Sequence, residues 1–149
     1  MGIVSTTDYI KQLIESNKTV AALPDYPIND VFYGDQEQVV QNVTVCVDPG
    51  PLNEEQLYGS RKQKSQMRHY VMVYVKTLEN VQLNRRICDI IAEHVANLIN
   101  AHPRLDGTAL EGRVVEILPG YVLRGNSILR SSRLTVTSTV STILPQSGG

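Results

Sequence analysis

The sequence predicts an α+β fold: a mostly antiparallel β-sheet packed against two α-helices, with a long β-hairpin loop. Three observations point there. Residues 78–101 carry Leu83, Ile87, Ile90, Ile91, Val95, Leu98 and Ile99 every three or four positions, the period of an amphipathic helix. Residues 39–47 and 68–77 alternate Val with other side chains, and residues 133–144 are dominated by β-branched residues, which suits strands. The predicted order is helix, short strand, strand, long loop, strand, helix, strand, strand, which fits two helices laid on one sheet.

Each element has its own grounds. Ser5-Thr6-Thr7 offers N-cap side chains for a first helix, and Asp8 suits the positive end of its dipole. Tyr9, Ile10, Leu13 and Ile14 form its apolar stripe, and Asn17 ends it. Pro24 and Pro27 keep the next segment extended, and Ile28, Val31, Phe32 and Tyr33 make a short strand before the turn at Gly34-Asp35. Along 39–47, Val39, Val43, Val45 and Val47 share one face, while Thr44 and Cys46 share the other. Asp48-Pro49-Gly50-Pro51 reads as a stop, followed by a long connection to about Gln66. In the next strand Val71, Val73 and Val75 face one way and Tyr70, Met72 and Tyr74 the other, so both faces are apolar enough to be covered. His102-Pro103 ends the long helix. A strand over 113–118 is broken at Pro119-Gly120 and continues past a bulge over 121–124. Gly125-Asn126-Ser127 is the next turn, and residues 145–149 form a frayed tail to a single domain over 1–144.

A chain of 149 residues is long enough to bury one real core. Its apolar runs fall far short of a membrane span, and its first residues lack the plan of a signal peptide. Met-Gly at the start, with Ser5 and Thr6 nearby, brings myristoylation to mind, but no polybasic segment or second anchor accompanies it. Cys46 and Cys88 sit among Val and Ile, which suggests reduced, buried thiols; a disulfide between them stays open at this level.

The net charge of −1 conceals a split: residues 1–60 hold nine acids and two bases, a balance of −7, while residues 61–149 hold twelve bases and six acids, or +6. If those halves occupy separate surfaces, the molecule favours head-to-tail contact with copies of itself.

Catalytic and cofactor patterns are missing from the sequence. His69, His94 and His102 have no metal-ligand spacing with either cysteine, and His94 suits a hydrogen-bonded place on the long helix. There is no nucleophile elbow, Walker A loop or Rossmann glycine pattern, so neither an enzyme nor a cofactor is expected. The strongest local feature is basic: Arg61, Lys62, Lys64 and Arg68 are four of the fourteen bases within eight residues. Such a cluster can contact phosphate, contact protein or simply be solvated. With one Phe, seven Tyr and no Trp, stacking platforms for single strands are sparse. The loop's other limb carries Asp48, Glu54 and Glu55, which makes it a dipole more than a cationic patch. The candidate interface residues are therefore Glu54, Glu55, Arg61, Lys62, Lys64 and Arg68.

The plan as a whole has a likeness. The helix with Asp8-Tyr9-Ile10, the Tyr26-Pro27-Ile28 stretch leading to strands, and the long loop before Val71-Met72-Val73-Tyr74-Val75 are its first half; the helix over 83–99 and the closing strands over 113–118 and 133–144 are its second. This resembles the tail-terminator and head–tail joining (tail completion) proteins of long-tailed bacteriophages, across nearly the whole chain, in size and element order and not in any motif. The resemblance implies a structural virion protein of the tail or neck, assembled in the host bacterial cytoplasm. It implies a self-assembled ring, commonly a hexamer, that caps the tail-tube protein and meets a head-completion or connector protein. DNA would pass through the ring without specific binding, with no membrane, cofactor or catalysis involved. The basic loop is then expected to face a protein partner and not the channel. The competing reading is a small nucleic-acid-binding module that uses the basic 61–68 hairpin.

Overall fold

A computed structural model describes residues 3–39, 41–56, 62–76, 81–103, 111–125 and 127–143. Two helices, α1 (Ile3–Glu15) and α2 (Val81–Asn100), lie on one face of a five-stranded sheet. The strands are β1 (Asp30–Tyr33), β2 (Val43–Gln56), β3 (Lys62–Val75), β4 (Glu111–Arg124) and β5 (Ser127–Ile143), in spatial order β1-β2-β3-β5-β4. Every pairing is antiparallel except β1 with β2, which is parallel. The fold is thus the α+β sandwich expected.

The alternation within the strands decides what each face does. Val43, Val45 and Val47 on β2, Val71, Val73 and Val75 on β3, and Leu134 and Val136 on β5 all point at the helices and are buried. They meet Ile10 and Ile14 of α1 and Ile87, Ile91, Val95 and Ile99 of α2, the stripes read from the 3.6-residue period. The opposite, open face has a smaller cluster of Val39, Cys46, Tyr74 and Leu129, with Met72 and Val122 against it. Both faces of β3 are therefore covered at its Val-rich end, but unequally.

Polar side chains tie the helices down. The His94 Nε2–H donates to the Asn17 carbonyl at 2.8 Å, which joins α2 to the end of α1. The His102 Nδ1–H donates to the Leu98 carbonyl at 2.8 Å and satisfies a free acceptor of the last turn. Asn17 does the same for α1, its Nδ2 donating to the Leu13 carbonyl at 2.8 Å.

Several boundaries depart from the sequence reading, each for a physical reason. α1 begins at Ile3, so Ser5, Thr6 and Thr7 lie inside the helix and are not its cap, and no acid occupies its first turn. Thr6 and Thr7 are buried, and Thr7 Oγ1 shares a 3.0 Å hydrogen bond with His69 Nδ1, a tertiary contact that outweighs local capping preference. Val39 is not on the face of Val43; it sits in the crossing segment above Cys46. Asp48-Pro49-Gly50-Pro51 does not stop β2. The strand passes through a bulge in which Gly50 and Pro51 oppose the single residue Arg68. β1 pairs only with residues 44–47 of β2, so beyond Asp48 this strand is an edge, where a missing N–H is tolerated. β3 accordingly starts at Lys62, well before Arg68, and β5 runs beside it to Ile143. The long connection is thus a ribbon of three strands, β2, β3 and β5. In β4 the expected break at Pro119-Gly120 does not occur; both residues pair with β5, and the bulge falls at Val115. Gly125, at φ +61, occupies the tight turn of the β4–β5 hairpin as expected, in a conformation that costs a side-chain-bearing residue about 1 kcal/mol. The tail over 145–149 lies outside the described residues.

Cys46 and Cys88 are free and buried, the first in the open-face cluster and the second in the helix-side core. Burial pushes the Cys46 thiol up to about 12 and the Cys88 thiol up to about 11. Neither is a nucleophile near neutral pH. A disulfide-exchange reagent at pH 8 is expected to leave both thiols unmodified in the native protein and to titrate both in denaturant. Rapid labelling of the native protein would contradict this burial.

Candidate assembly surface

The residues singled out by charge fall on the far end of the three-stranded ribbon. Glu54 and Glu55 belong to β2, and Lys62, Lys64 and Arg68 to β3; Arg61 lies outside the described residues. The register sets Glu55 opposite Lys64 and Glu54 opposite Ser65. One acid position, Glu55, therefore stands across the ladder from one base position, Lys64, while Lys62, Lys64 and Arg68 occupy alternate positions that share one face of β3. Arg68 stands apart, exposed, at the bulge.

The opposite end of the sheet carries a surface that charge-based reading overlooked. α1 packs on β1 and β2 and α2 on β3, β5 and β4, and the turn end of the β4–β5 hairpin is left bare. There Ile117, Tyr121, Leu123 and Ile128 are exposed, Leu123 to 64% and Ile128 to 76%. Leu123 stands opposite Ile128, and Tyr121 opposite Arg130, so these side chains share the helix-side face. Val115, at the bulge, and Leu118, on the other face, extend the apolar exposure along the strand. β4 is also the outer strand of the sheet. A long apolar edge left bare invites association unless something covers it.

Within this surface Arg130 is unusual. It is 8% exposed, its guanidinium lies 4.7 Å from the centre of the Tyr121 ring, and its buried Nε has no hydrogen-bond partner among the described residues. Among the described residues it has no ion-pair partner. Cation–π contact offsets part of the cost of burying it, but a guanidinium is usually matched by an anion.

The open face holds the other organised feature. The segment after β1 folds across it, and Asp35 ties that segment down. The Tyr74 hydroxyl donates to Asp35 Oδ1 at 2.7 Å, and Arg124 Nη2 donates to Asp35 Oδ2 at 2.6 Å and to the Tyr74 oxygen at 3.0 Å. Burial, followed by the bond to Asp35, pushes the Tyr74 hydroxyl above its ordinary value. A cavity of about 390 Å³ lies alongside, with Asp48, Tyr70, Met72, Leu118, Val122 and Arg133 among its walls. Asp48 is raised above the usual carboxylate range by burial first and by Asp35 second. Arg133 stacks over Tyr70 at 5.1 Å. The arrangement braces the sheet: the Tyr74 proton is held by its carboxylate, and Asp35 is held by an arginine. Among the described residues no three His, Cys, Asp or Glu side chains gather as a metal site. None of the described helices is long and apolar enough to cross a membrane.

No model of a known protein family matches this chain, and no curated protein matches it.

Proposed function

We propose that this protein is a structural subunit of a long-tailed phage or prophage virion: a tail-terminator or neck-ring protein that caps the tail tube and joins it to the head connector. The observation that carries the reading is the bare apolar end of the β4–β5 hairpin, Ile117, Tyr121, Leu123 and Ile128, on a chain with an unequal distribution of charge. A subunit built to be covered by neighbours accounts for that surface, and a monomer does not. The likeness in size and element order supplies the kind of assembly. The protein would act in the virion tail or neck after assembly in the bacterial cytoplasm, with no catalysis or cofactor. DNA would pass through the lumen, where a strongly cationic lining would hold it back. Glu54, Glu55, Arg61, Lys62, Lys64 and Arg68 are then assigned to contact with a neighbouring subunit or partner ring.

The register places Glu55 opposite Lys64, an acid against one of the bases, which supports protein contact over phosphate contact. Light scattering after size-exclusion chromatography, alone and after mixing with tail-tube protein, tests the proposal. A ring by negative-stain microscopy is the expected result. A protein that stays monomeric at high concentration and with the tube overturns it, and salt-dependent DNA binding lost on replacing Arg61, Lys62, Lys64 and Arg68 by Ala would move the assignment to the nucleic-acid class.

A further inference from the structure

The two outer edges of the sheet are chemically complementary, and we infer that they dock head to tail: the β4–β5 hairpin end of one copy, around Arg130, Leu123 and Ile128, against the β1 edge of the next, around Asp30, Phe32 and Tyr33. This rests on the ring reading and names the surfaces through which the ring would close.

The argument begins with topology. The order β1-β2-β3-β5-β4 places β1 at one edge of the sheet and β4 at the other, with the last strand, β5, beside β4. Residues 1–39 hold six acids and two bases, whereas residues 111–143 hold four bases and two acids. Asp35 and Arg124 pair with each other, and Glu37 lies beside Leu123 and Arg124 at the hairpin end; the rest of residues 1–39 keeps four acids against two bases, while the hairpin side is balanced overall and holds the unmatched Arg130. An acidic edge and an edge with an unmatched arginine describe a heterologous contact, the kind that closes a ring.

Local chemistry narrows the contact. On the β4–β5 side a nine-tenths-buried guanidinium without an anion among the described residues is flanked by exposed Tyr121, Leu123 and Ile128. On the β1 side Asp30 has no ion pair among the described residues, and it adjoins two exposed aromatic residues, Phe32 at 36% and Tyr33 at 40%. A carboxylate beside apolar surface is what Arg130 lacks, and desolvation on docking strengthens such a charge-assisted contact. Backbone pairing between the edges is disfavoured. Pro119 has no N–H to offer, Val115 is bulged, and β1 is only 4 residues long against 14 in β4. Contact through side chains is what these edges allow.

Mixed single-cysteine crosslinking tests this. Tyr33→Cys and Leu123→Cys are prepared separately, mixed at high concentration with tail-tube protein, and oxidised; the native cysteines are buried and stay silent. The expected result is a disulfide-linked dimer in the mixture at least tenfold above either variant alone. Crosslinking of Leu123→Cys with itself overturns the inference in favour of a two-fold contact. Rings by microscopy without the mixed crosslink overturn it while leaving the ring reading intact; neither rings nor crosslink overturns both. Arg130→Glu is expected to abolish assembly and Arg130→Glu mixed with Asp30→Arg to restore it. Because Arg130 is buried, each charge variant is first checked for an unchanged thermal midpoint, and the exposed cysteine pair decides the matter if one fails to fold.

Discussion

Acidification from pH 7 to pH 4 is expected to remove about 3 kcal/mol of stability through one side chain, His69. His69 is fully buried on β3 against α1, with Nδ1 bonded to Thr7 at 3.0 Å and Nε2 without a partner among the described residues. Burial pushes its imidazole down from 6.5 to about 4, because the charged form would sit among Met67, Val71 and Val136 without water. The unfolded chain binds the proton near pH 6.5 and the native protein only near pH 4, so the unfolded state holds more protons between those values. Stability from this group is complete above pH 6.5, falls as pH drops from 6.5 to 4, and is level below that. Urea titrations at pH 7, 5.5 and 4 measure it. His69→Gln, which can keep the bond to Thr7 but does not titrate, is expected to lose this part of the slope. Equal slopes in the two proteins would rule the account out.

Assembly gives that buried imidazole a wider meaning. It fixes α1 to the sheet next to the parallel β1–β2 pair, where Asn29 brackets Val43, accepting from its N–H through Oδ1 and donating to its carbonyl through the backbone, each at 2.9 Å. If the proposed docking edge is β1, it is backed by α1, and a change at Thr7–His69 would reach the interface through two packed elements.

How much of this was legible depends on which signals are local. The apolar stripes of α1 and α2 and the alternation of Val71, Val73 and Val75 follow from periodicity, and the same residues form the core. Asp48-Pro49-Gly50-Pro51 misled because turn chemistry is read residue by residue, whereas what permits two prolines there is the position of β2 beyond the reach of β1. The Asp35–Tyr74–Arg124 network joins residues with separations of 39 and 89, for which no local pattern exists. Tyr121 and Leu123 were readable as strand residues, whereas Ile128 fell before the strand expected from Arg133 and in fact opens β5; the exposure of all three follows from where the helices stop. Charge drew attention to Lys62 and Lys64, while the bare apolar surface lies at the other end of the sheet.

Gly50→Ala is expected to destabilise the protein by about 2 kcal/mol, a large effect for one methyl group. A Cβ at Gly50 would fall 2.7 Å from the Arg68 carbonyl oxygen and 3.0 Å from Cε2 of Tyr70. The first of these is backbone of the adjacent strand, which is held by β5 on its far side and has no room to retreat. Tyr70 could swing, but it lies under Arg133 and lines the open-face cavity, so its movement gives up that stacking. The glycine is thus required for close approach at the bulge and not for an unusual φ, since among the described glycines only Gly34 and Gly125 have positive φ. Gly120→Ala is the control. There the nearest atom to a new Cβ is Ser131 Oγ at 3.9 Å, so the change is expected to stay within about 0.5 kcal/mol and can be slightly stabilising by restricting the unfolded chain. Paired urea titrations decide between close approach and generic loss of a strand glycine. Equal effects at the two positions would mean that the ribbon beyond Asp48 accommodates a methyl group by shifting as a unit, and that its packing onto β3 is looser than the bulge geometry requires.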